Sequence, residues 1–273
     1  MISRREFIAG IAGACACLAD DEPRPIPIGL QLFSVRKQAA ANLPATLARV
    51  KEIGFTAVEF AGDYGHAAAE IHRYLVDNDL ACCGSHTSFA RLQDAQFAAT
   101  VDFNHALGNK RVIVPGLPAQ YTQTLDGWRS AALAFVELSG RLAGEGLELG
   151  YHNHSIEFKP IEGTRPIDVF LRGARGVFLE LDVGGAGYGG ANPVEVFETY
   201  RRRVKMIHAK DYTVGKPDLL IGTGSMDWPA LFGAVQSSAV DWYVIEHDSA
   251  SGPDLGDIAD SYQRFVRLLG GRS

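Results

Sequence analysis

Disulfide chemistry is nearly absent from this sequence. Only four of its 273 residues are cysteine. Cys15 and Cys17 fall in the first twenty residues, and Cys82 and Cys83 are adjacent, a spacing that does not close an unstrained disulfide. The fold must rest on a core rather than on covalent staples, and 47% hydrophobic residues are ample for one. An excess of positive charge is also lacking. A formal net charge of −6 without any long run of like charges argues against nucleic acid or an anionic membrane as a partner. The longest basic cluster, Arg201-Arg202-Arg203, falls at a predicted helix end, where cations suit the dipole. No apolar run is long enough to span a bilayer comfortably. Beyond residue 26 there is no low-complexity tract, linker or composition break, so a single domain is expected.

The amino-terminal stretch reads differently. Ser3-Arg4-Arg5-Glu6-Phe7, followed by a mildly apolar run over residues 7–18, resembles a bacterial twin-arginine export signal, with Ala19 placed for cleavage. This implies a signal peptide over 1–19, a short linker over 20–25, a folded domain over 26–270, and a periplasmic or secreted product. That export route carries proteins already folded, often with a cofactor loaded, which suits a chain without staples.

What the sequence has in quantity is alternation. Short apolar runs at 26–34, 57–62, 81–89, 111–116, 148–154, 177–184, 204–211 and 242–248 read as strands, separated by amphipathic helical patterns. Gly54 and Gly146 stand where the first and third of those helices should stop. Eight strand–helix units in about 250 residues point to a single (β/α)8 TIM barrel; an open doubly wound sheet seldom needs eight such regular units.

In a barrel of this kind the reacting groups stand at the carboxyl ends of the strands. Those ends carry Gln31, Glu59, His86, His152 and His154, Asp182, His208 and Lys210, and Glu246. His152, Asp182, His208 and Glu246 are spaced by roughly one strand–helix unit, which puts them on the last four strands. Side chains alternate faces along a strand. Parity therefore groups Glu180 with Asp182, Met206 with His208 and Lys210, and Val244 with Glu246 and Asp248. Two imidazoles and two carboxylates can then converge on a divalent metal. Strand five offers two candidate ligands, His152 and His154.

Taken in order, "IGLQLFSVR", "AVEFAG", "CGSHTSF", "GYHNHSIEF", "LELDVGGA", "IHAKDY", "IGTGSMDWPAL" and "VIEHD" resemble the xylose isomerase-like TIM barrels. That group includes sugar-phosphate isomerases and epimerases, tagatose epimerases, inosose dehydratase and endonuclease IV; the "YHNHSIEF" run resembles one branch of it. The resemblance implies metal ligands at His152, Asp182, His208 and Glu246. It also implies Glu246 as proton carrier, with His154 or Lys210 as second acid or base. Gln31, Glu59, His86, Glu157 and Trp228 are the implied substrate contacts. Most epimerases of the group carry glutamate where His152 stands. Imidazole there favours Mn, Zn, Co or Fe over Mg and removes one carboxylate base. The implied partner is a small carbohydrate, and homo-oligomerisation is left open.

The implied activity is isomerisation or epimerisation of a keto-sugar or related polyol through an enediolate. Two alternatives use the same residues: β-elimination from 3-keto-glycosides by a lyase, and a sugar-binding barrel without catalysis. Several features have blander readings. Asp182 suits a helix cap, Glu246 an ordinary ion pair, and Lys210 a solvent pair with Asp211. The glycine-rich 184–190 run reads as a flexible loop over the metal, with Pro193 opening the next helix. The "LIGTGSMDWP" run reads either as a backbone cradle for phosphate or as a structural turn.

Overall fold

The computed structural model describes residues 25–248 and 254–271; the proposed signal peptide and nearly all of the proposed linker lie outside them. Seven strands come first: β1 (Ile28–Gln31), β2 (Ala57–Phe60), β3 (Ala81–His86), β4 (Arg111–Val114), β5 (Glu148–His152), β6 (Phe178–Asp182) and β7 (Val204–Ala209). A hairpin of β8 (Asp211–Thr213) and β9 (Lys216–Leu219) follows, then β10 (Trp242–Ile245). β1 to β7 and β10 close into an eight-stranded barrel whose neighbours all pair in parallel. With helices between the strands, this is the expected TIM barrel. The strands are shorter than the apolar runs that signalled them, because the chain turns where side chains begin to hold the backbone. After β1, for instance, Gln31 Oε1 accepts the Phe33 N–H at 3.0 Å and opens a 3-10 turn.

Local chemistry explains the helix borders. Asn42 caps the helix Leu43–Ile53 through the Ala45 N–H, and Gly54 ends it at φ +121°, a conformation glycine adopts without penalty. Pro193 opens the helix Pro193–Tyr200 as expected. Asp254 and Asp257 form a reciprocal cap at the start of Leu255–Gly270. The apolar faces of these helices pack on the outside of the barrel around Phe55, Trp128, Phe135, Phe170, Phe232 and Phe265. Among the described residues no helix is long and apolar enough to cross a membrane.

The barrel interior is tiered. Ala57, Cys83, Ile113, Phe178, Met206 and Val244 form an apolar plug, and Gly150 leaves room there for the Phe178 ring, which any Cβ would meet. Two residues further along, roughly 7 Å at the strand rise, the inward positions become Glu59, Glu180, His208 and Glu246. Two further still stand Asp182, Lys210 and Asp248. β3 enters this scheme through a bulge: Val58 pairs with Cys82, but Glu59 pairs with Gly84. The extra residue shifts parity, so Cys83 lines the plug while His86, three residues on, also reaches the interior.

One loop reading is corrected, and for another the structure selects the structural turn over the phosphate cradle. The glycine-rich run is not a loose cover but a helix, Val183–Tyr188, capped by Asp182. Its glycines admit close neighbours; a Cβ on Gly187 would overlap the Tyr212 ring, which lies in the β8–β9 hairpin. The "LIGTGSMDWP" segment is a cradle, but its anion is internal. Asp211, fully buried, accepts from the N–H groups of Tyr212, Gly222, Gly224 and Met226 at 2.8–3.1 Å and from Trp228 Nε1 at 3.2 Å. No donor of that set is left for a phosphate, and Asp211 is not a solvent partner for Lys210.

Candidate metal centre and active-site cleft

β5, β6, β7 and β10 bring His152, Asp182, His208 and Glu246 to the barrel mouth. The ligand atoms of His152, Asp182 and Glu246 lie within 4.8 Å of one another, and His208 Nδ1 is 2.9 Å from Glu246 Oε2. All four side chains are at least nine-tenths buried. Asp182 uses its oxygens separately. Oδ1 accepts the Gly185 N–H at 2.8 Å, capping the following helix. Oδ2 is buried and accepts no hydrogen bond, although Lys210 Nζ lies 3.4 Å away and His152 Nε2 3.9 Å away. Asn153 steadies the strand end by donating to the Asp182 carbonyl at 3.0 Å and accepting its N–H at 3.1 Å.

This donor set fits a divalent cation. A buried carboxylate oxygen without a donor is costly, and a cation answers it. Burial, reinforced by the positive charge of His208 and His86, holds His152 well below the ordinary imidazole range. It is therefore neutral, the form that ligates metal. Mixed imidazole and carboxylate ligands suit Zn, Mn, Co or Fe. Burial alone would raise the Glu246 carboxyl, but Lys210 and His208 outweigh it and keep Glu246 ionised, well below its usual value.

Lys210 lies between Asp182, Glu246 and Asp248, with Nζ 3.2 Å from a carboxylate oxygen of each of the last two. Burial disfavours its charge, yet the three carboxylates prevail and hold the amine well above the ordinary lysine value. In this environment Lys210 is an ammonium, the acid form of the acid-or-base role expected of it.

A cleft of about 430 Å³ opens over these groups, lined by His154, Asp182, Tyr188, Lys210, Lys216 and Asp248 among others. Its volume suits a small carbohydrate. Of the two strand-five histidines, His152 stands in the cluster. His154 lines the cleft, its ring 4.8 Å from that of His152.

The other anticipated site residues divide. Gln31, Glu59 and His86 lie beneath the cluster, locked to one another and to Glu180. Gln31 Nε2 donates to Glu59 Oε2 at 2.6 Å, and His86 Nε2 is 2.8 Å from Glu180 Oε2. Burial would lower the His86 pKa, but Glu59 and Glu180 raise it to about 10. With Gln31 and Glu59 fully buried, these two do not face the cleft. Glu157 and Trp228 are corrected outright as substrate contacts. Glu157 has both oxygens engaged, by the Tyr151 hydroxyl at 2.6 Å and the His154 N–H at 2.9 Å. It braces the loop after β5. Trp228 is buried against Phe232 and Phe265, with its indole N–H on Asp211.

Glu180, Asp248 and Lys216 are not singled out as site residues by the sequence, and Tyr188 reads there only as one of several aromatics near strand ends, for sugar stacking or for rim packing. Strand parity with Asp182 and Glu246 marked the first two. The last two depend on the short helix and the hairpin, for which the sequence holds no comparable signal.

The family model described as "Xylose isomerase-like TIM barrel" matches residues 47–268. The chain belongs to that family. Among curated relatives of this barrel, an inosose dehydratase from Clostridium botulinum is 29% identical over 133 residues, 43% of this chain and 44% of that protein. The match thus spans less than half of that relative's length. Among solved structures, a sugar phosphate isomerase/epimerase from Parabacteroides distasonis superposes with a TM-score of 0.76 at 22% identity, covering 89% of this chain and 98% of that one. A structure described as IOLI protein with a binding zinc atom superposes with a TM-score of 0.67 at 14% identity, covering 89% of this chain and 96% of that one. At these identities the structural matches show the fold.

Proposed function

We propose that this barrel is a metal-dependent enzyme that removes the proton α to the carbonyl of a keto-sugar or keto-polyol, and that loss of a β-substituent completes the reaction. The observation that carries the proposal is that His152, Asp182 and Glu246 offer ligand atoms within 4.8 Å of one another, with His208 Nδ1 2.9 Å from Glu246 Oε2, under a cleft that also holds the Lys210 ammonium. His152, Asp182, His208 and Glu246 would hold the ion. Bound there, a divalent cation supplies Lewis acidity that polarises a substrate carbonyl.

The chain's own residues supply proton transfer and orientation. Glu246, ionised, takes the proton from the carbon beside the carbonyl. Lys210 Nζ, 3.2 Å from Glu246 Oε2, donates a proton to the departing oxygen as the C–O bond breaks and the C=C bond forms. Glu246 then returns its proton across the same contact, so the pair ends as it began. His154 presents a second polar group to substrate oxygens along the cleft wall. Tyr188 and the hairpin around Lys216 also line the opening.

Elimination is favoured by the asymmetry of the site. A symmetrical proton exchange needs a second base across the substrate, where epimerases of the resembling group carry glutamate and this chain carries neutral His152. The curated relative's name points the same way, since a dehydratase expels water. The second reading, isomerisation or epimerisation, keeps the same first step and is supported by the solved sugar phosphate isomerase/epimerase fold.

Products formed in D2O from a panel of keto-inositols, keto-sugars and 3-keto-glycosides separate the two. Elimination yields an alkene or a released aglycone; isomerisation leaves deuterium at an inverted or relocated centre. K210M should retain bound metal while elimination slows by about 10²–10⁴-fold. Full activity in D182A protein shown to hold no metal would overturn the proposal.

We also propose export by the twin-arginine route, supported by Arg4-Arg5 ahead of the apolar 7–18 run. Replacing both arginines with lysine should leave the protein in the cytoplasm; unchanged export would rule that route out.

A further inference from the structure

Glu59, His86 and Glu180 form a closed tier below the candidate ligands that the proposed chemistry does not use. Its relation to the two ligand imidazoles is specific. His152 directs Nε2 towards Asp182 and Nδ1 towards Glu180 Oε2, 3.1 Å away. His208 directs Nδ1 towards Glu246 and Nε2 towards Glu59 Oε2 at 2.8 Å and Glu180 Oε2 at 3.2 Å. A neutral imidazole that gives one nitrogen's lone pair to a metal carries its proton on the other. Against burial, Glu180, Glu59 and Glu246 hold His208 protonated when no metal is bound, and it gives up its Nδ1 proton on ligation. Both lower nitrogens are then N–H donors, and each has a buried carboxylate oxygen within reach. Glu180 Oε2 is the atom common to both rings.

We propose that Glu180, assisted by Glu59, is the positioning residue of the metal centre: it accepts the lower N–H of His152 and His208 and thereby sets the tautomer and orientation of both ligands. The inference rests on the metal reading above. Sequence position supports it: Glu180 stands two residues before Asp182, so one strand supplies a ligand and the acceptor behind two others. Partners of this kind typically change metal affinity by about 10- to 100-fold when removed.

A competing use of the tier is a second cation, since ligand atoms of His86, His152, Glu180 and His208 also lie within 4.8 Å of one another, and Glu59 Oε1 and Glu180 Oε1 have no hydrogen-bond partner. That arrangement would need His152 and His208 each to ligate through both nitrogens, with no ring proton left. The carboxylate contacts already made at the lower nitrogens favour donors there.

Zinc titration with a competing chelator, applied to wild type, D182A, E180Q and E180L, decides the matter. Circular dichroism confirms the fold of each. The proposal expects one zinc per wild-type chain, binding abolished in D182A, and affinity lower by about 10- to 100-fold in E180L, with E180Q between. Zinc-loaded wild type should show an Nδ1–H proton on His152 by ¹⁵N-edited NMR, and E180L should lose its slow exchange. E180Q keeps the test open if E180L fails to fold. Wild-type affinity in both Glu180 variants, or two zinc ions per wild-type chain, overturns the positioning role and leaves the metal reading standing. A wild-type chain that binds no divalent ion overturns both.

Discussion

Asp182 shows how one side chain can satisfy two readings at once. Its sequence context suits a helix cap as well as a metal ligand, and its two oxygens divide the work. Oδ1 caps Val183–Tyr188, and Oδ2 faces the cluster without a donor. The two roles are separable by substitution. D182N keeps a carbonyl oxygen for the Gly185 N–H, so its stability should stay near wild type while metal binding falls. D182A should lose metal and also about 1 kcal/mol of stability from the missing cap. Urea unfolding of the metal-free proteins measures the difference. Direction is what residue-level reasoning could not supply. Glu157 follows a strand end as the ligands do and Trp228 opens a helix, yet Trp228 turns into the aromatic core and Glu157 back onto Tyr151.

At the scale of elements, the segments above β6 and β7 hold the cleft together. The hairpin β8–β9 rests its Tyr212 ring where Gly187 has no side chain. G187A should push that ring outward and destabilise the protein by about 1–3 kcal/mol, as overpacking does, and should raise KM because Lys216 belongs to the same hairpin. Denaturant unfolding and steady-state kinetics test both parts. Asp211 anchors the other flank. D211A would leave four backbone N–H groups and the Trp228 indole without their acceptor. Each lost bond to a charged group is worth about 1.5–3 kcal/mol, non-additively. A loss of at least about 3 kcal/mol is expected, with D211N milder. Thermal unfolding checks the order. The strand–helix alternation that builds the barrel was readable from apolar periodicity. The hairpin was not, because its strands of three and four residues carry no apolar run of their own.

Across the whole molecule, the candidate ligands come from β5, β6, β7 and β10, which are consecutive around the barrel wall. An ion bound there ties together half the barrel and binds only the folded chain. Its effect on stability should follow mass action: saturation at 100 times Kd adds about 2.7 kcal/mol. Added zinc or manganese should therefore raise Tm progressively, and a chelator should reverse the rise; a Tm indifferent to metal would argue against a site shared by four strands.

The sequence by itself determined the barrel, its order of strands and the residue types at each strand end, because apolar periodicity and spacing are local properties that backbone geometry converts directly into alternating strands and helices. Parity along β6, β7 and β10 was local too, and it grouped Glu180 with Asp182 and Glu246 with Asp248. Only the tertiary structure decided how deep each polar group lies. The bulge in β3 turns His86 inward, and barrel closure sets Glu59 from β2 against His208 from β7 at 2.8 Å. Three carboxylates, Asp182 from the end of β6 and Glu246 and Asp248 from beyond β10, gather around Lys210 and hold its charge. Such contacts join residues far apart in the chain, and their energies depend on distance and burial, which no stretch of sequence contains.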